Sequence, residues 1–333
     1  MTHLYVTNNG SIVGIKGGRF QIEQKGDLIR TIPKESVESI SIFGNSTITT
    51  PCMQYLLESR IPVCFFSGTG RYYGRLESTS MNKMEVIKKQ ITSFDDKHYA
   101  LSLTKKSLAA KVNNQNVVLK RYIKTVTPEL NRSVALIKVY MKKIEGAETV
   151  NEIMGYEGIA ARTYFDALSC IIEPEFAFHG RTRRPPRDKF NSLLSLGYTL
   201  LMYEVYAKIC TEKLTPYYSF LHTVRENHPV LASDMMEEWR AVIVDSLVLS
   251  MIQGHEIRSE DFESGDGEGI YLTNTGLKKF IAKFEKKLNT EIRYLQYENK
   301  SYSMRDAIGV QCRKIRESVL SADSDVYLPV KIK

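Results

Sequence analysis

Cysteine is scarce in this 333-residue chain, and its five cysteines are scattered and odd in number. None belongs to a C-x-x-C pair, and most have apolar neighbours, as in I-P-V-C-F-F around Cys64. This distribution argues against a disulfide framework or a thiolate zinc site. It favours reduced thiols in a cytoplasmic protein.

Long apolar runs are also missing. No stretch reaches the roughly 20 apolar residues that a membrane-spanning helix needs. The first ten residues, M-T-H-L-Y-V-T-N-N-G, lack the charged leader and apolar run of a signal peptide. With 43% apolar and 25% charged residues, the composition is that of an ordinary globular protein. We therefore expect an intracellular protein with a sizeable core and no membrane partner.

The charge balance is basic. Lys and Arg number 46 against 38 for Asp and Glu, which gives a formal net charge of +8. This excess permits binding to nucleic acid or another anionic surface without requiring it.

Short strands separated by glycine-containing turns dominate residues 1–80. The run R-F-Q-I-E alternates apolar and polar residues, as a half-buried strand does, and K-G-G and K-G-D supply hairpin turns. One short helix, C-M-Q-Y-L-L-E-S, interrupts the strands, with Thr49 or Thr50 as its cap and Pro51 near its first position. The spacing of the strands predicts a small β-sandwich or roll.

Beyond the strands, the chain becomes helical in character. Long segments with three-and-four spacing and almost no Gly or Pro follow from about residue 85. We predict an α+β protein with a β-sandwich-like domain over residues 1–80, a linker over 81–90 and a larger all-α domain over 91–333.

Glu157 is an oddly placed carboxylate within the helical part. Ala160, Ala161 and Tyr164 follow Glu157 by three, four and seven residues and so share its helix face. Glu157 therefore lies at the N-terminal end of an apolar stripe. A carboxylate there needs a cation, a donor or a metal. The alternative is that Glu157 lies in the first turn of its helix and interacts with the helix dipole.

A second acidic group, Asp234, Glu237 and Glu238, precedes the core-like run A-V-I-V-D-S-L-V-L. Ala241 and Val244 follow Glu237 at the same spacing and share its helix face, so Glu237 is also expected to point toward the core. A local explanation is available, because Asp234 as N-cap and Glu237 three residues later would form a capping-box-like pair.

His222 could complete the group, since it follows the apolar run in P-Y-Y-S-F-L-H and precedes Asp234 by twelve residues. A hydrogen-bonded core histidine is the alternative. Carboxylates with one imidazole suit Mg²⁺ or Mn²⁺ better than structural zinc, which recruits thiolates.

The segment F-H-G-R-T-R-R-P-P-R-D-K-F concentrates positive charge around two prolines. Arginine forks match phosphate oxygens, so this loop predicts phosphate binding. Its candidate contacts are Arg181, Arg183, Arg184 and Arg187. The helices at 105–124 and 132–143 add further bases, for which a solvated helix face is the better interpretation. They are Lys105, Lys106, Lys111, Lys120, Arg121, Lys124, Arg132, Lys138, Lys142 and Lys143.

Four motifs in this order resemble the CRISPR-associated protein 1 family, the integrases of spacer acquisition. They are G-Y-E-G-I-A-A-R-T-Y-F, then G-R-T-R-R-P-P-R-D-K-F-N-S-L-L-S-L-G-Y-T-L-L, then P-Y-Y-S-F-L-H, and L-A-S-D-M-M-E-E-W-R. The likeness spans nearly the whole chain and is strongest from about 150 to 255.

The resemblance implies metal-dependent integration, in which the 3′-hydroxyl of a captured DNA fragment attacks a phosphodiester at the edge of a CRISPR repeat. It places the metal-binding residues on Glu157, His222 and Glu237, with Asp234 as a neighbouring catalytic acid and the arginine loop as a DNA contact. It also implies a homodimer formed through the β-domains and association with the small partner protein of adaptation.

Some positions depart from the family pattern. Ser219 stands where Gly is common, Glu237 where some members have Asp, and Trp239 and Ala241 replace a common Phe and Pro. These differences leave open whether Asp234 or Glu237 is the direct metal ligand. A structure-selective nuclease acting by hydrolysis and a non-catalytic DNA-binding scaffold are the competing functions.

Overall fold

A computed structural model describes residues 2–78, 83–182 and 184–333 of the chain. Strands come first and helices follow, as the sequence predicts, so the predicted α+β organisation is confirmed. The strands of the first region are β1 (Thr2–Val6), β2 (Ser11–Lys16), β3 (Arg19–Gln24), β4 (Asp27–Pro33), β5 (Val37–Phe43), β6 (Thr47–Ile48), β7 (Val63–Phe66) and β8 (Tyr72–Leu76). Helix α1 (Thr50–Glu58) lies between β6 and β7, with Thr49 as N-cap.

The first region is built from two four-stranded sheets. One has the order β1-β5-β7-β8, in which only the β7–β8 pair is antiparallel. The other has the order β4-β3-β2-β6 and is antiparallel except for β2–β6. The alternation seen in the sequence puts Phe20 and Ile22 of β3 in a core shared with Ile40 and Leu56.

The second region is mainly helical. Its helices are α2 (Met84–Asp95), α3 (Lys97–Tyr122), α4 (Pro128–Gly146), α5 (Val150–Ile171), α6 (Lys189–Thr211), α7 (Val230–Met235), α8 (Glu237–Trp239), a π-helix (Arg240–Asp245), α9 (Ser246–Gln253), α10 (Asn274–Leu288) and α11 (Met304–Ser321). Side-chain caps begin several of them: Asp96 accepts from Tyr99 N in α3, and Asp188 from Asn191 N in α6.

Two small hairpin sheets accompany these helices, so the second region is not all-α as the sequence predicts. They pair β9 (Phe262–Ser264) with β10 (Ile270–Leu272), and β11 (Glu291–Ile292) with β12 (Tyr302–Ser303). Strands of two or three residues are too short to show an alternating pattern.

Helix α2 differs from the sequence expectation for the linker. It begins at Met84 and so occupies most of residues 81–90, while residues 81 and 82 lie outside the described part of the chain. The stretch is helical because Val86, Gln90 and Phe94 recur at four-residue spacing and are buried against the helical region.

Residues 230–253 form one bent helical rod. Helix α7 ends at Met235, α8 holds one short turn, and the backbone widens into the π-helix at Arg240 before α9 continues the rod. Widened turns of this kind are often found at functional sites. The rod is buried along most of its length, and α3 and α6 pack on it.

A polar network joins the two regions. The hydroxyl of Tyr5 on β1 donates to Glu285 Oε1 on α10 at 2.6 Å, and Arg305 on α11 pairs with both Glu285 and Glu204. Arg305 is only 3% exposed. No helix in the described ranges is long and apolar enough to span a membrane.

Candidate active site

Lys111 lies between two carboxylates that the sequence singles out on different helices. Its Nζ atom is 2.5 Å from Glu157 Oε1 on α5 and 2.7 Å from Glu237 Oε2 on α8. The exposed fractions of the three side chains are 10%, 13% and 5%. Three elements distant in sequence therefore bring one ammonium and two carboxylates together, largely away from water.

The ion pairs prevail over burial in setting the pKa of both central groups. Burial acts to lower the pKa of Lys111, but the carboxylates of Glu237 and Glu157 outweigh it and leave this pKa raised. Burial acts to raise the pKa of Glu237, but Arg240 and Lys111 outweigh it and leave this pKa lowered. Both groups are therefore charged near neutral pH.

Arg240 holds the other oxygen of Glu237. Its Nη2 atom is 3.1 Å from Glu237 Oε1, and its guanidinium lies 5.2 Å from the ring centre of Tyr198 on α6. Glu237 Oε2, in contrast, accepts no well-aligned hydrogen bond, although Lys111 Nζ is 2.7 Å away. A buried oxygen thus keeps lone pairs available within the site.

Asp234 orients His222. One carboxylate oxygen contacts His222 Nδ1, and the other accepts hydrogen bonds from Ser219 Oγ at 2.5 Å and His222 N at 3.1 Å. The carboxylate is fully buried, whereas 36% of the His222 side chain is exposed. Both oxygens of Asp234 are therefore committed to fixing the loop that carries the histidine.

The second nitrogen of His222 remains available. No residue in the described part of the chain hydrogen-bonds to Nε2. The hydrogen bond to Asp234 raises the pKa of His222, and the charges of Asp234 and Glu237 contribute in the same direction. With Nδ1 held by a carboxylate, Nε2 is the nitrogen that can bind a metal or a proton.

The local explanations for the acids are wrong. Helix α7 begins at Val230 after Pro229, so Asp234 lies inside the helix and is not its N-cap. Helix α5 begins at Val150, which puts Glu157 about two turns inside it, beyond the reach of the terminal dipole.

Lys111 and Arg240 are the residues that sequence reasoning missed. The expectation that Lys111 lies on a solvated face is wrong, since it is 8% exposed. Buried residues recur along much of α3, so no simple apolar stripe distinguishes this lysine from the surface ones. For Arg240, the signal was its three-residue spacing from Glu237 on a helix.

Glu238, the residue next to Glu237, binds the C-terminal segment, residues 327–333. Its carboxylate accepts hydrogen bonds from Tyr327 OH at 2.6 Å and Val330 N at 2.8 Å, and also from Gln311. Burial raises the pKa of Glu238 to about 7.

Asn114, one turn after Lys111, donates to the carbonyls of Glu238 and Val330 at 2.8 Å each. The segment thus connects α3 to α8.

Asp245 fixes the far end of the π-helix. It is fully buried and accepts hydrogen bonds from Tyr164 OH on α5 at 2.9 Å and from Tyr198 OH at 2.5 Å. Burial raises the pKa of Asp245. The stretch that carries Arg240 is therefore held against both α5 and α6.

The arginine-rich loop lies beside this wall. The Arg181 guanidinium is 5.4 Å from the ring centre of Tyr198, whose ring also faces Arg240, and it contacts Asn191. Arg184 and Arg187 are exposed, and Arg183 lies outside the described residues. Arg181 thus shares the Tyr198 ring with Arg240, while Arg184 and Arg187 face solvent.

An open groove of about 1300 Å³ runs past the loop. Arg184 lines it together with Arg71 from the β7–β8 turn, Tyr73 of β8, and Arg225, three residues after His222. Arginines and exposed tyrosines along one groove are the side chains that bind the phosphates and bases of nucleic acid.

The predicted ligands do not form a ready metal-binding group. Across residues 2–78, 83–182 and 184–333, no three His, Cys, Asp or Glu side chains converge closely enough to hold an ion. Between Glu157 and Glu237 stands the ammonium of Lys111.

Comparisons with known proteins identify the family of the chain. The family described as CRISPR associated protein Cas1 matches residues 4–286. The chain is 30% identical over 318 residues to the CRISPR-associated endonuclease Cas1 of Mycobacterium tuberculosis, covering 95% of this chain and 93% of the relative. It is 32% identical to CRISPR-associated endonuclease Cas1 3 of Thermus thermophilus, covering 87% and 86%. A solved CAS1 protein from Thermotoga maritima superposes with a TM-score of 0.81 at 26% identity, over 96% and 97% of the two chains. The chain therefore belongs to the CRISPR-associated protein Cas1 family.

Proposed function

We propose that the protein is a metal-dependent DNA endonuclease and integrase of CRISPR adaptation, which joins the 3′-hydroxyl ends of captured DNA fragments to the CRISPR repeat. The observation that carries the proposal is the convergence of Glu157 and Glu237 on Lys111, together with a His222 that Asp234 orients. An arginine-rich loop lies nearby, since its Arg181 shares the ring of Tyr198 with Arg240. Relatives named as CRISPR-associated endonucleases support the nuclease part, and the four sequence motifs support the integrase part.

Glu157, His222 and Glu237 would hold Mg²⁺ or Mn²⁺. The donor set fits, because two carboxylates and an imidazole suit these ions, and Glu237 Oε2 is buried without an aligned donor. When bound, the metal supplies a Lewis acid that stabilises charge on the phosphate and lowers the pKa of a hydroxyl group. Asp234 would act on the ion indirectly, by fixing the ring of His222.

The transfer step exchanges one phosphodiester for another. The 3′-oxygen of the fragment forms a bond to phosphorus, the bond to the repeat oxygen breaks, and the proton lost by the attacking hydroxyl goes to the leaving oxygen. Arg240 keeps Glu237 in place during this exchange and adds a positive charge beside the reacting phosphate.

DNA would reach the site along the groove. Arg184 and Arg187 face solvent and would bind backbone phosphates, while Tyr73, 67% exposed, offers a ring for base stacking. In this proposal Arg181, which packs on Tyr198, would bind the phosphate nearest the metal ligands.

We also propose that the protein is a homodimer joined through its β-domains and that it binds the small partner protein of CRISPR adaptation. Strand β4 supports the first point: it is an edge strand, and Leu28 and Ile29 on it are 55% and 56% exposed. Light scattering on the wild type and on a Leu28→Lys variant tests the dimer. A wild-type monomer at micromolar concentration would contradict it.

Strand transfer by the purified protein tests the activity. The substrates are a short duplex with free 3′-hydroxyls and a supercoiled plasmid carrying a CRISPR repeat, with Mn²⁺, Mg²⁺ or EDTA, and with and without the partner protein. We expect metal-dependent covalent joining, reduced at least about 100-fold in Glu157→Gln, which keeps the shape but removes the charge. Asp166→Asn, an exposed acid on the same helix, is the matched control and should keep wild-type activity.

The products distinguish the competing functions. Nicking without joining would indicate a structure-selective nuclease that uses water as nucleophile. A folded protein that binds DNA but neither cuts nor joins with its partner present would be a scaffold.

A further inference from the structure

The ammonium of Lys111 occupies the space that the proposed ligands would share with a metal. Glu157 Oε1 and Glu237 Oε2 are its two contacts, at 2.5 and 2.7 Å. These are donor atoms of the acids to which the proposed function assigns the ion. A cation of the protein itself therefore stands where a divalent cation would have to bind.

The charges of the site balance without a metal. Glu157 and Glu237 contribute two negative charges, and Lys111 and Arg240 two positive ones, within one run of direct contacts. Buried carboxylates without a partner are strongly unfavourable, so the lysine allows the acids to fold close together in the metal-free protein.

The two basic residues hold Glu237 differently. Arg240 is on the same helical rod, three residues away, and pairs with Oε1. Lys111 comes from another helix on a flexible four-carbon stem, donates to Glu157 Oε1 at 2.5 Å and pairs with Glu237 Oε2 at 2.7 Å. The lysine is therefore the partner that can withdraw while the arginine keeps the carboxylate in place.

We propose that Lys111 is an internal counter-ion of the site, which substitutes for the metal between Glu157 and Glu237 and which the metal displaces on binding. The inference rests on the proposed metal-dependent function. It predicts that Lys111 weakens metal binding while stabilising the metal-free fold.

Metal binding without DNA tests the inference, because it needs no turnover. Isothermal titration with Mn²⁺ would compare wild type with Lys111→Met, which keeps the length of the side chain and removes its charge. We expect Lys111→Met to bind Mn²⁺ at least about tenfold more tightly, since a positive charge is removed within a few ångströms of the ion. Lys120→Met, an exposed position on the same helix, is the matched control and should bind like wild type.

Thermal unfolding provides a second readout. Without metal, Lys111→Met should unfold at a lower temperature than wild type, and saturating Mn²⁺ should raise its Tm by more than it raises that of the wild type. If the metal-free variant does not fold, refolding in Mn²⁺ should recover it. If Mn²⁺ does not restore the folding of Lys111→Met, whereas Lys111→Arg folds without metal, the proposal is overturned.

The remaining outcomes separate this inference from the proposed function. Equal or weaker Mn²⁺ binding by a folded Lys111→Met, with clear binding by wild type, would overturn the counter-ion role and leave the metal site intact. Absence of Mn²⁺ binding in both proteins would overturn the metal site and the inference with it. Lys111→Gln, also neutral, should reproduce the tighter binding of Lys111→Met.

Discussion

At the scale of single residues, Asp234 and Glu237 have different tasks despite their close spacing. Asp234 is fully buried and holds the loop around His222 through several hydrogen bonds. Glu237 reaches Lys111 and Arg240 and keeps one oxygen without an aligned donor. This difference supports Glu237 as the direct ligand and Asp234 as the residue that positions the imidazole.

We expect Asp234→Asn to weaken both Mn²⁺ binding and strand transfer by about 10–100-fold, because the ring of His222 loses the carboxylate that fixes its orientation. Titration calorimetry and the transfer assay measure the two effects. Ser219→Ala, which removes one neutral donor to the same carboxylate, is the control and should have a smaller effect. Wild-type affinity in Asp234→Asn would show that the hydrogen bond does not position the ring.

The sequence predicted the acids of the site better than its bases. Spacing by threes and fours identified Glu157 and Glu237 as core-facing, because a carboxylate at the head of an apolar stripe is conspicuous. Lys111 is one of many lysines on its helices, and only the meeting of α3 with α5 and α8 distinguishes it. Such a long-range contact leaves no trace in local spacing.

At the scale of secondary-structure elements, the position of the bent helical rod depends on a close approach to α6. A Cβ atom on Gly197 would lie 2.5 Å from Val244 Cγ1 in the π-helix and 3.2 Å from Phe280 Cζ. Val244 lies between Arg240 and Asp245, so any displacement there moves the wall of the site.

We expect Gly197→Ala to lower the free energy of unfolding by about 1–3 kcal/mol through overpacking, and to reduce strand transfer as the π-helix shifts. Urea denaturation measures the stability change. Gly155→Ala on α5 is the control: nothing lies within 4 Å of its Cβ, so the better helix propensity of Ala should stabilise the protein by up to about 1 kcal/mol. Equal stability of the two variants would contradict the close approach.

The local sequence pattern predicted the regular strands and helices but not the π-helix or the C-terminal segment. The strands of the first region and α1 followed from alternation, glycine turns and a proline near the helix start. The π-helix did not, because Ala241, Val242, Ile243 and Val244 are apolar on every face. The C-terminal segment has no periodicity at all, and its partners are distant in sequence.

At the scale of the whole molecule, positive charge is arranged along a path. The net charge of +8 is modest, but Arg71, Arg184 and Arg225 line one groove. In the proposed function we therefore expect the local concentration of arginine, more than the overall excess, to govern where DNA binds.

We expect the double variant Arg184→Ala, Arg187→Ala to bind DNA more weakly and to lower the slope of log K against log salt concentration by up to about 2, as two phosphate contacts are lost. Fluorescence anisotropy at several salt concentrations measures this. The double variant Arg132→Ala, Lys138→Ala on the exposed side of α4 is the matched control. Equal losses of DNA affinity in the two double variants would mean that affinity depends on total charge and not on the groove.

The C-terminal segment has a consequence for how the enzyme is completed. Lys111, Glu157, His222 and Glu237 all precede residue 240, yet the acid next to Glu237 finds two of its three donors at Tyr327 and Val330. A nascent or proteolysed polypeptide interrupted before residue 327 would carry every candidate ligand and still lack an aligned site. Through the hydrogen bonds of Glu238, the geometry of the candidate site thus depends on a segment far beyond it in the sequence.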